Sequence, residues 1–534
     1  MLSIPALLLQ TAAAVSPLAL RPDTTRLPHD VTHYDVSLVL GDSGRHVLGQ
    51  IDVSWRLESA DPVELQLDST LRVIRVLVNG RENTRLVRTM WGRAGDRIAV
   101  PHEGRAGDSL STRVRYRGDV SDGLVFRQGP GGRRVFADNW PDHAHGWLPV
   151  QDHPSDKATV AFHVQVPAGM QVIANGTLEK IDTLPYQHRV WHYQLNEPIP
   201  TYSIVIGAGT FAVTPLGRAD CPARCVPVTL WTDPADSAWA VSGPFRRAAP
   251  MVEFFSRLIG TFPYPSLAHV QAATRFGGME NATAIFYNDS LIRTGQLGEA
   301  TVAHETAHQW FGDAVTPDDW HHLWLSEGFA TYLAAMWAEE TGGVAARSGV
   351  MRQEADQYFE SAQVERPIID PGVLDPQSLL NDNAYQKGAW VLHQLRGLIG
   401  DSLFAAALRE FYRAHAHGTA VSADFADAVK KVAGKDFEWY FRQALTQPGY
   451  PVLDVRWHHR GNRINLDIQQ TQPPGWGTYR LPGVVLRIDG KDIPLDVNGR
   501  ATHHTLRGFN RPPRKVELDP AGWWLMKARV SGGQ

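Results

Sequence analysis

Thiols are almost absent from this chain: two cysteines, Cys221 and Cys225, stand in 534 residues. That excludes a disulfide-rich scaffold, and it excludes a cysteine-built zinc site, because the CPARC loop holds no histidine to complete four ligands. The pair either forms one small local bridge or stays as two free thiols, and neither state makes it catalytic. A surplus of one charge is missing too. Lys and Arg number 52 against 56 Asp and Glu, and the net charge of −4 offers no broad basic face to nucleic acid. No stretch beyond the N-terminus reaches the roughly 18 apolar residues a membrane helix needs. Internal repeats and low-complexity tracts are also lacking.

What is present is an ordinary globular composition, 43% hydrophobic and 20% charged, in a chain too long for one core. Roughly two to four domains are expected. The N-terminus, MLSIPALLLQTAAAVSPLALRPD, carries an apolar run from Ala6 to Leu9 and small residues Ala12 to Ala14 that suit an A-x-A cleavage site. No basic residue precedes Arg21, so the charged start of an export signal is missing. The reading is an export segment within residues 1–22 and a protein located outside the cytoplasm, secreted or periplasmic; an uncleaved anchor or a plain extension are the alternatives. The sequons at Asn175, Asn281 and Asn288 are short enough to arise by chance.

From His33 to Phe211 the apolar period is two, as in Tyr34, Val36, Leu38, Leu40 and again Ile51, Val53, Trp55, Leu57. With the Asn79–Gly80 turn, this predicts a large antiparallel β saddle or sandwich over residues 23–215. Near Ser237 the period becomes helical, at Phe254 and Leu258, Val302–Phe311, Phe329–Met336, Val391–Leu398 and Leu403–Phe411, with Gly312 and Gly342–Gly343 as natural stops. This predicts a mainly α domain over 216–446. Alternation returns at Ile464, Leu466, Ile468 and, after the Asp489–Gly490 turn, Ile493, Leu495, Val497, which predicts a small C-terminal β-sandwich over 447–534. The fold class expected is α+β, multidomain.

At the centre lies HETAHQW, His304 to Trp310. Residues four apart share one helix face, so His304 and His308 present two nitrogens to one cation, while Glu305 points elsewhere and reaches a water without ligating. A catalytic zinc needs a third protein ligand, and WLSEGFATYL supplies Glu327, 19 positions beyond His308. By composition a chance HExxH has a probability of order 0.05, and a glutamate at one fixed later position lowers it about twentyfold. The pattern therefore reads as one zinc ion per chain, with Glu305 as general base. Cobalt or manganese are the other candidate metals.

The run HETAHQWFGDAVTPDDWHHLWLSEGFATYL resembles the zinc aminopeptidases of the aminopeptidase N and leukotriene hydrolase family, in spacing and in flanking residues. FGGMENATAIFY resembles that family's G-x-M-E-N exopeptidase motif, here Gly277, Gly278, Met279, Glu280 and Asn281, and AYQKGAWVLHQL resembles its Tyr-x-Lys-Gly segment, with Tyr385 in the tyrosine position. LPVQDHPSDKATVAF looks like its proline- and aspartate-rich approach to a strand. The resemblance implies a thermolysin-like catalytic domain and hydrolysis of the N-terminal peptide bond of peptides with a free amine. It implies Glu280 as the amine's partner, Gly277 to Asn281 as substrate-binding, and Tyr385 as a donor to the developing oxyanion. The β-prone residues Ala284, Ile285 and Phe286 suit an edge strand along which a peptide could pair.

Two departures matter. The family carries a glutamine or acid as second amine partner, and in ADNWPDHAHGWLPVQDHP that position is open between Asp138, Asn139 and Asp142. The family's large helical cover is not seen after the small β domain, which predicts an open cleft tolerant of peptides from three to ten residues. Ser326 and Asp313 neighbour the ligands in sequence, while His321 and His322 read as packing. The alternatives to an aminopeptidase are an endopeptidase on the same metal, a silent zinc-containing peptide-binding protein, and epoxide hydrolysis as a second activity.

Overall fold

The computed structural model describes residues 16–22, 28–90, 96–129 and 131–533. Most of the expected leader lies outside these residues. Its last part does not: Leu18 is buried in the main core, Leu20 offers its carbonyl to His322, and Arg21 pairs with Asp318. A cut after Ala14 would keep these contacts, whereas one at residue 22 would remove them.

The alternating segments do form strands. An eight-stranded sheet runs in the order Thr177–Leu184, His188–Pro200, Lys157–Pro167, Asp30–Leu40, His46–Arg56, Ser109–Asp119, Leu71–Val78 and Arg81–Glu82. Its inward residues, such as Val36, Leu38, Ile51 and Val53, are buried while their neighbours are partly exposed. Asn79 and Gly80 both have positive φ, 47° and 76°, and turn the chain between the last two strands. The sheet is not wholly antiparallel: Asp30–Leu40 pairs in parallel with Lys157–Pro167. Smaller three- and four-stranded sheets complete the β region.

A five-stranded mixed sheet leads into the helices, ordered Ala212–Cys221, Arg224–Thr232, Leu267–Ala272, Ala284–Asn288 and Gly278–Met279. The strand Ala212–Cys221 spans the boundary expected at 215. Cys221 and Cys225 are free, the first buried and the second exposed. Ala284–Asn288 is not the edge strand the sequence suggested. It pairs on both sides, with Leu267–Ala272 and with Gly278–Met279, so its apolar residues reflect burial, and the edge belongs to Gly278–Met279.

The helices are Ala248–Leu258, Glu299–His308, Trp324–Glu360, Gly388–Ile399, Asp401–His415, Ser422–Ala433 and Glu438–Thr446, with short ones at Ser237–Ser242 and Asp289–Arg293. At Gly343 (φ 75°, ψ −178°) the backbone is not helical and divides Trp324–Glu360 into two helices, a stop where the glycine pair was expected to make one. Among the described residues no helix is long and apolar enough to cross a membrane. The C-terminal strands form a four-stranded and a three-stranded sheet around a separate apolar cluster that includes Leu453, Val455, Leu466, Ile468, Leu486 and Val497.

Candidate active site

His304 and His308 occupy the last turn-and-a-half of Glu299–His308, and Glu327 the first turn of the helix Trp324–Glu360 that packs against it. Their Nε2 atoms lie 3.0 Å apart, and each is 3.3 Å from Glu327 Oε2. Donors on a tetrahedral zinc, at about 2.0–2.1 Å, lie about 3.3 Å from one another. Glu327 Oε2 is buried with no hydrogen-bond partner, a state that calls for an ion. The donor set therefore fits one zinc.

Neighbours orient these ligands. His308 Nδ1 faces the Phe311 carbonyl and Ser326 Oγ, both at 3.1 Å, leaving Nε2 for the metal. Gly312 (φ 128°) makes that approach possible, since a Cβ there would sit 2.7 Å from Ser326 Oγ and 3.0 Å from His308 Nδ1. Ser326 thus has a definite task that its sequence position alone did not reveal.

Tyr385, 58 residues after Glu327 in sequence, arrives on a π-helical turn, Asn383–Lys387, and its ring stacks on His304 with centroids 6.0 Å apart. The approach is set by two glycines. A Cβ on Gly328 would lie 2.8 Å from Gly388 Cα, so the helices carrying Glu327 and following Tyr385 cross backbone to backbone. Burial raises the Tyr385 phenol well above its ordinary value, and the Glu327 and Glu280 charges add to this. It stays protonated and able to donate.

Glu280 and Glu305 each place a carboxylate oxygen, and His308 a ring nitrogen, within 4.8 Å of one another. Burial raises Glu305 far above the carboxylate range, with Glu280 and Glu327 adding to it, and pushes Glu280 up to about 6. Burial also works against ionised Glu327, yet the two imidazoles outweigh it and hold that carboxyl at about 2. For His308 the charges of Glu327 and Glu280 overcome burial and lift the imidazole to about 10. Glu280 and Glu327 face one cationic imidazole, His308, an excess of negative charge that a divalent cation would offset.

The same residues open onto a cavity of about 580 Å³, lined by Gly277 to Glu280, His304, Glu305, His308, Glu327 and Tyr385. Asn281 does not line it; its side chain is fully buried behind Glu280. Gln309, which the sequence reading passed over inside HETAHQW, holds the Glu280 loop in place. Its Nε2 donates to the Glu280 carbonyl (2.6 Å) and to Asp313 (2.7 Å), and its Oε1 accepts from the Thr283 N–H (2.9 Å). Being amide-bearing and directly after a ligand was its only signal.

None of the three candidates for second amine partner lines the cavity. Asp138 faces Arg275, 3.5 Å away, and Asn139 is spent on the Ile204 carbonyl and the Trp147 indole. Trp140, from the same segment, takes the place in the wall. His321 and His322 bond Asp319, Val373, Ser422 and Leu20, away from the ligands. Asn175 and Asn281 are fully buried, which leaves their sequons without meaning.

The chain matches the peptidase M1 N-terminal domain over residues 31–203 and the peptidase family M1 domain over 245–443. It is 27% identical over 474 residues to the tricorn protease-interacting factor F2 of Thermoplasma acidophilum, covering 83% of this chain and 56% of that one. It is 24% identical over 478 residues to leucyl aminopeptidase of Saccharolobus solfataricus, covering 84% and 56%. The chain spans about half the length of the curated relatives it matches. Among solved structures, an M1 zinc metallopeptidase from Deinococcus radiodurans superposes with a TM-score of 0.68 at 26% identity, over 79% of this chain and 95% of that one.

Proposed function

Because the chain belongs to peptidase family M1, we propose that it is a zinc aminopeptidase that removes the N-terminal residue from peptides with a free α-amine. The observation that carries this reading is Glu280: a buried carboxylate beside the general-base candidate and a ligand, at the end of the edge strand Gly278–Met279. A protonated amine entering this pocket pairs with Glu280, and the distance from there to the ligands sets the cut one residue along. The free edge of Gly278–Met279 offers backbone groups to the peptide, so affinity comes from main chain and selectivity from the walls.

Zinc, held by His304, His308 and Glu327, would supply a Lewis acid that brings the pKa of water at its open position to roughly 7 and polarises a carbonyl. Glu305 takes the proton of the attacking water and passes it to the departing amine. The Tyr385 hydroxyl donates to the carbonyl oxygen as that oxygen gains charge, a bond strongest in the transition state. A fixed carboxylate at the first subsite disfavours a chain running through, which weighs against the endopeptidase alternative.

The test is mass spectrometry of one peptide, free and N-acetylated, with wild type and Glu305→Gln. Stepwise shortening of the free form alone, absent in Glu305→Gln, is expected. Internal cleavage of both forms would make it an endopeptidase, and no cleavage with zinc bound would make it a binding protein. Export is part of the proposal, on the strength of Ala6–Leu9 and Ala12–Ala14; N-terminal sequencing of the protein from its producing cell checks it, with a start at Val15 expected.

A further inference from the structure

Five carboxylates line the cavity, and four have an occupation. Glu305, Glu327 and Glu280 have the roles argued above. Glu299 is held by Arg247 (2.6 Å) and the Trp337 indole N–H (2.8 Å). Glu354 has only a neutral partner, the Gln386 side-chain amide, which donates to it at 3.0 Å. Among the described residues no lysine, arginine or histidine pairs with it. Nearby Asp382 adds negative charge, not positive.

The fold places Glu354 in this wall by an indirect route. The break at Gly343 redirects the second segment of Trp324–Glu360, and Val350 and Glu354, four apart on one face, both reach the cavity. Gln386 directly follows Tyr385 in the chain, and both line the same cavity as Glu354. A long side chain on a residue flanking the bond to be cut reaches it, and a methyl group does not.

We infer that Glu354 selects peptides bearing a cationic side chain, arginine or lysine, on one of the two residues that flank the scissile bond. The inference rests on the aminopeptidase reading and names its substrate class. A guanidinium or ammonium would give Glu354 the charged partner it lacks, while the amide bond from Gln386 keeps the carboxylate aimed. Burial already raises this carboxyl above its ordinary value, a cost that a bound cation reverses.

The experiment uses the zinc-loaded protein and four tripeptides: Arg-Ala-Ala, Leu-Ala-Ala, Ala-Arg-Ala and Ala-Leu-Ala. In wild type, one arginine peptide should exceed its leucine counterpart by about 10- to 100-fold in kcat/KM, as for a charged hydrogen bond. In Glu354→Gln that ratio should fall to within about threefold of unity. The responding pair tells which residue is read. An arginine-to-leucine ratio unchanged by Glu354→Gln at both positions overturns the inference while leaving the peptidase reading intact. If wild type cuts none of the four, the peptidase reading fails, and the same ratios measured as Kd by calorimetry on Glu305→Gln decide for Glu354: a ratio that Glu354→Gln abolishes supports its cation preference, and an unchanged one overturns it.

Discussion

Gly278→Ala is the sharpest single perturbation available at this site. A Cβ on residue 278 would lie 2.3 Å from Glu305 Oε1, 2.4 Å from its Cδ and 2.5 Å from its Cγ. Ordinary separations are about 3.5 Å, so the carboxyl arm of Glu305 must retreat by about 1 Å. Residue 278 is only half-buried and its φ is open to alanine, so the Glu305 side chain gives way rather than the sheet. A misplacement of about 1 Å in a catalytic group costs on the order of 100-fold. The expected outcome is a kcat lower by about that factor on a free-amine peptide, with one equivalent of zinc and the thermal midpoint both retained. A kcat within threefold of wild type at full zinc content would mean Glu305 is not the base in this position. Loss of zinc would mean that the strand bears on the ligand helix and not on Glu305.

Tyr385→Phe should lower kcat by about 10²- to 10³-fold with little change in KM, because the hydroxyl acts on charge that develops after binding. Zinc affinity of metal-free protein should rise about tenfold per pH unit between pH 6 and 8, since His308, lifted to about 10 by Glu327 and Glu280, must lose its proton to ligate; a flat titration would show that His308 binds in another state. Gly328→Ala should part the helices at Gly388 and destabilise the protein by about 1–3 kcal/mol, read as a lower urea midpoint. Lys157→Met should cost about 3 kcal/mol in the same assay, by leaving the carbonyls of Asp313, Ala314 and Gly418 without their donor.

What the sequence made legible is what short-range spacing encodes. The two histidines and Glu327 were readable because one helix turn and one helix-to-helix connection fix their geometry. The turns at Asn79–Gly80 and Asp489–Gly490 were readable because type I′ geometry demands positive φ at both positions. The parallel pairing of Asp30–Leu40 with Lys157–Pro167 was not, since alternation marks a strand's faces and says nothing of its partner's direction. The edge was misplaced for a related reason: Ala284–Phe286 is apolar because it is enclosed, while the true edge, Gly278–Met279, is two residues long and has no period to read. Glu354 and Gln386, 32 residues apart, meet only because of the break at Gly343. The second amine partner failed differently. Asp138 and Asn139 have the right chemistry, and their neighbours had already engaged it.

The long-range contacts share a pattern that assigns the N-terminal β region a part in the active site. The turn after His308 is buried, and buried turns need donors for their carbonyls. Tyr202 Oη donates to the Gly312 carbonyl (3.1 Å), and Lys157 Nζ to those of Asp313 (2.8 Å) and Ala314 (2.9 Å). Burial pulls the Lys157 ammonium down to about 7 while the Asp313 charge opposes it, and its Nζ also donates to the Gly418 carbonyl (3.1 Å). On the other side of the site, Asn175 Nδ2 donates to the Ala282 carbonyl (2.7 Å) and the Gly176 N–H to Thr283 Oγ1 (2.7 Å), behind Glu280. Thr283 has a φ of 67°, a conformation that a threonine holds only when its surroundings impose it. Both segments, the turn below His308 and the loop below Glu280, thus take hydrogen bonds from residues before position 203. The helical region alone would leave the Gly312, Asp313 and Ala314 carbonyls without these donors and the Glu280 loop held by Gln309 only, so the placement of Glu280 beside His308 depends on the two regions together.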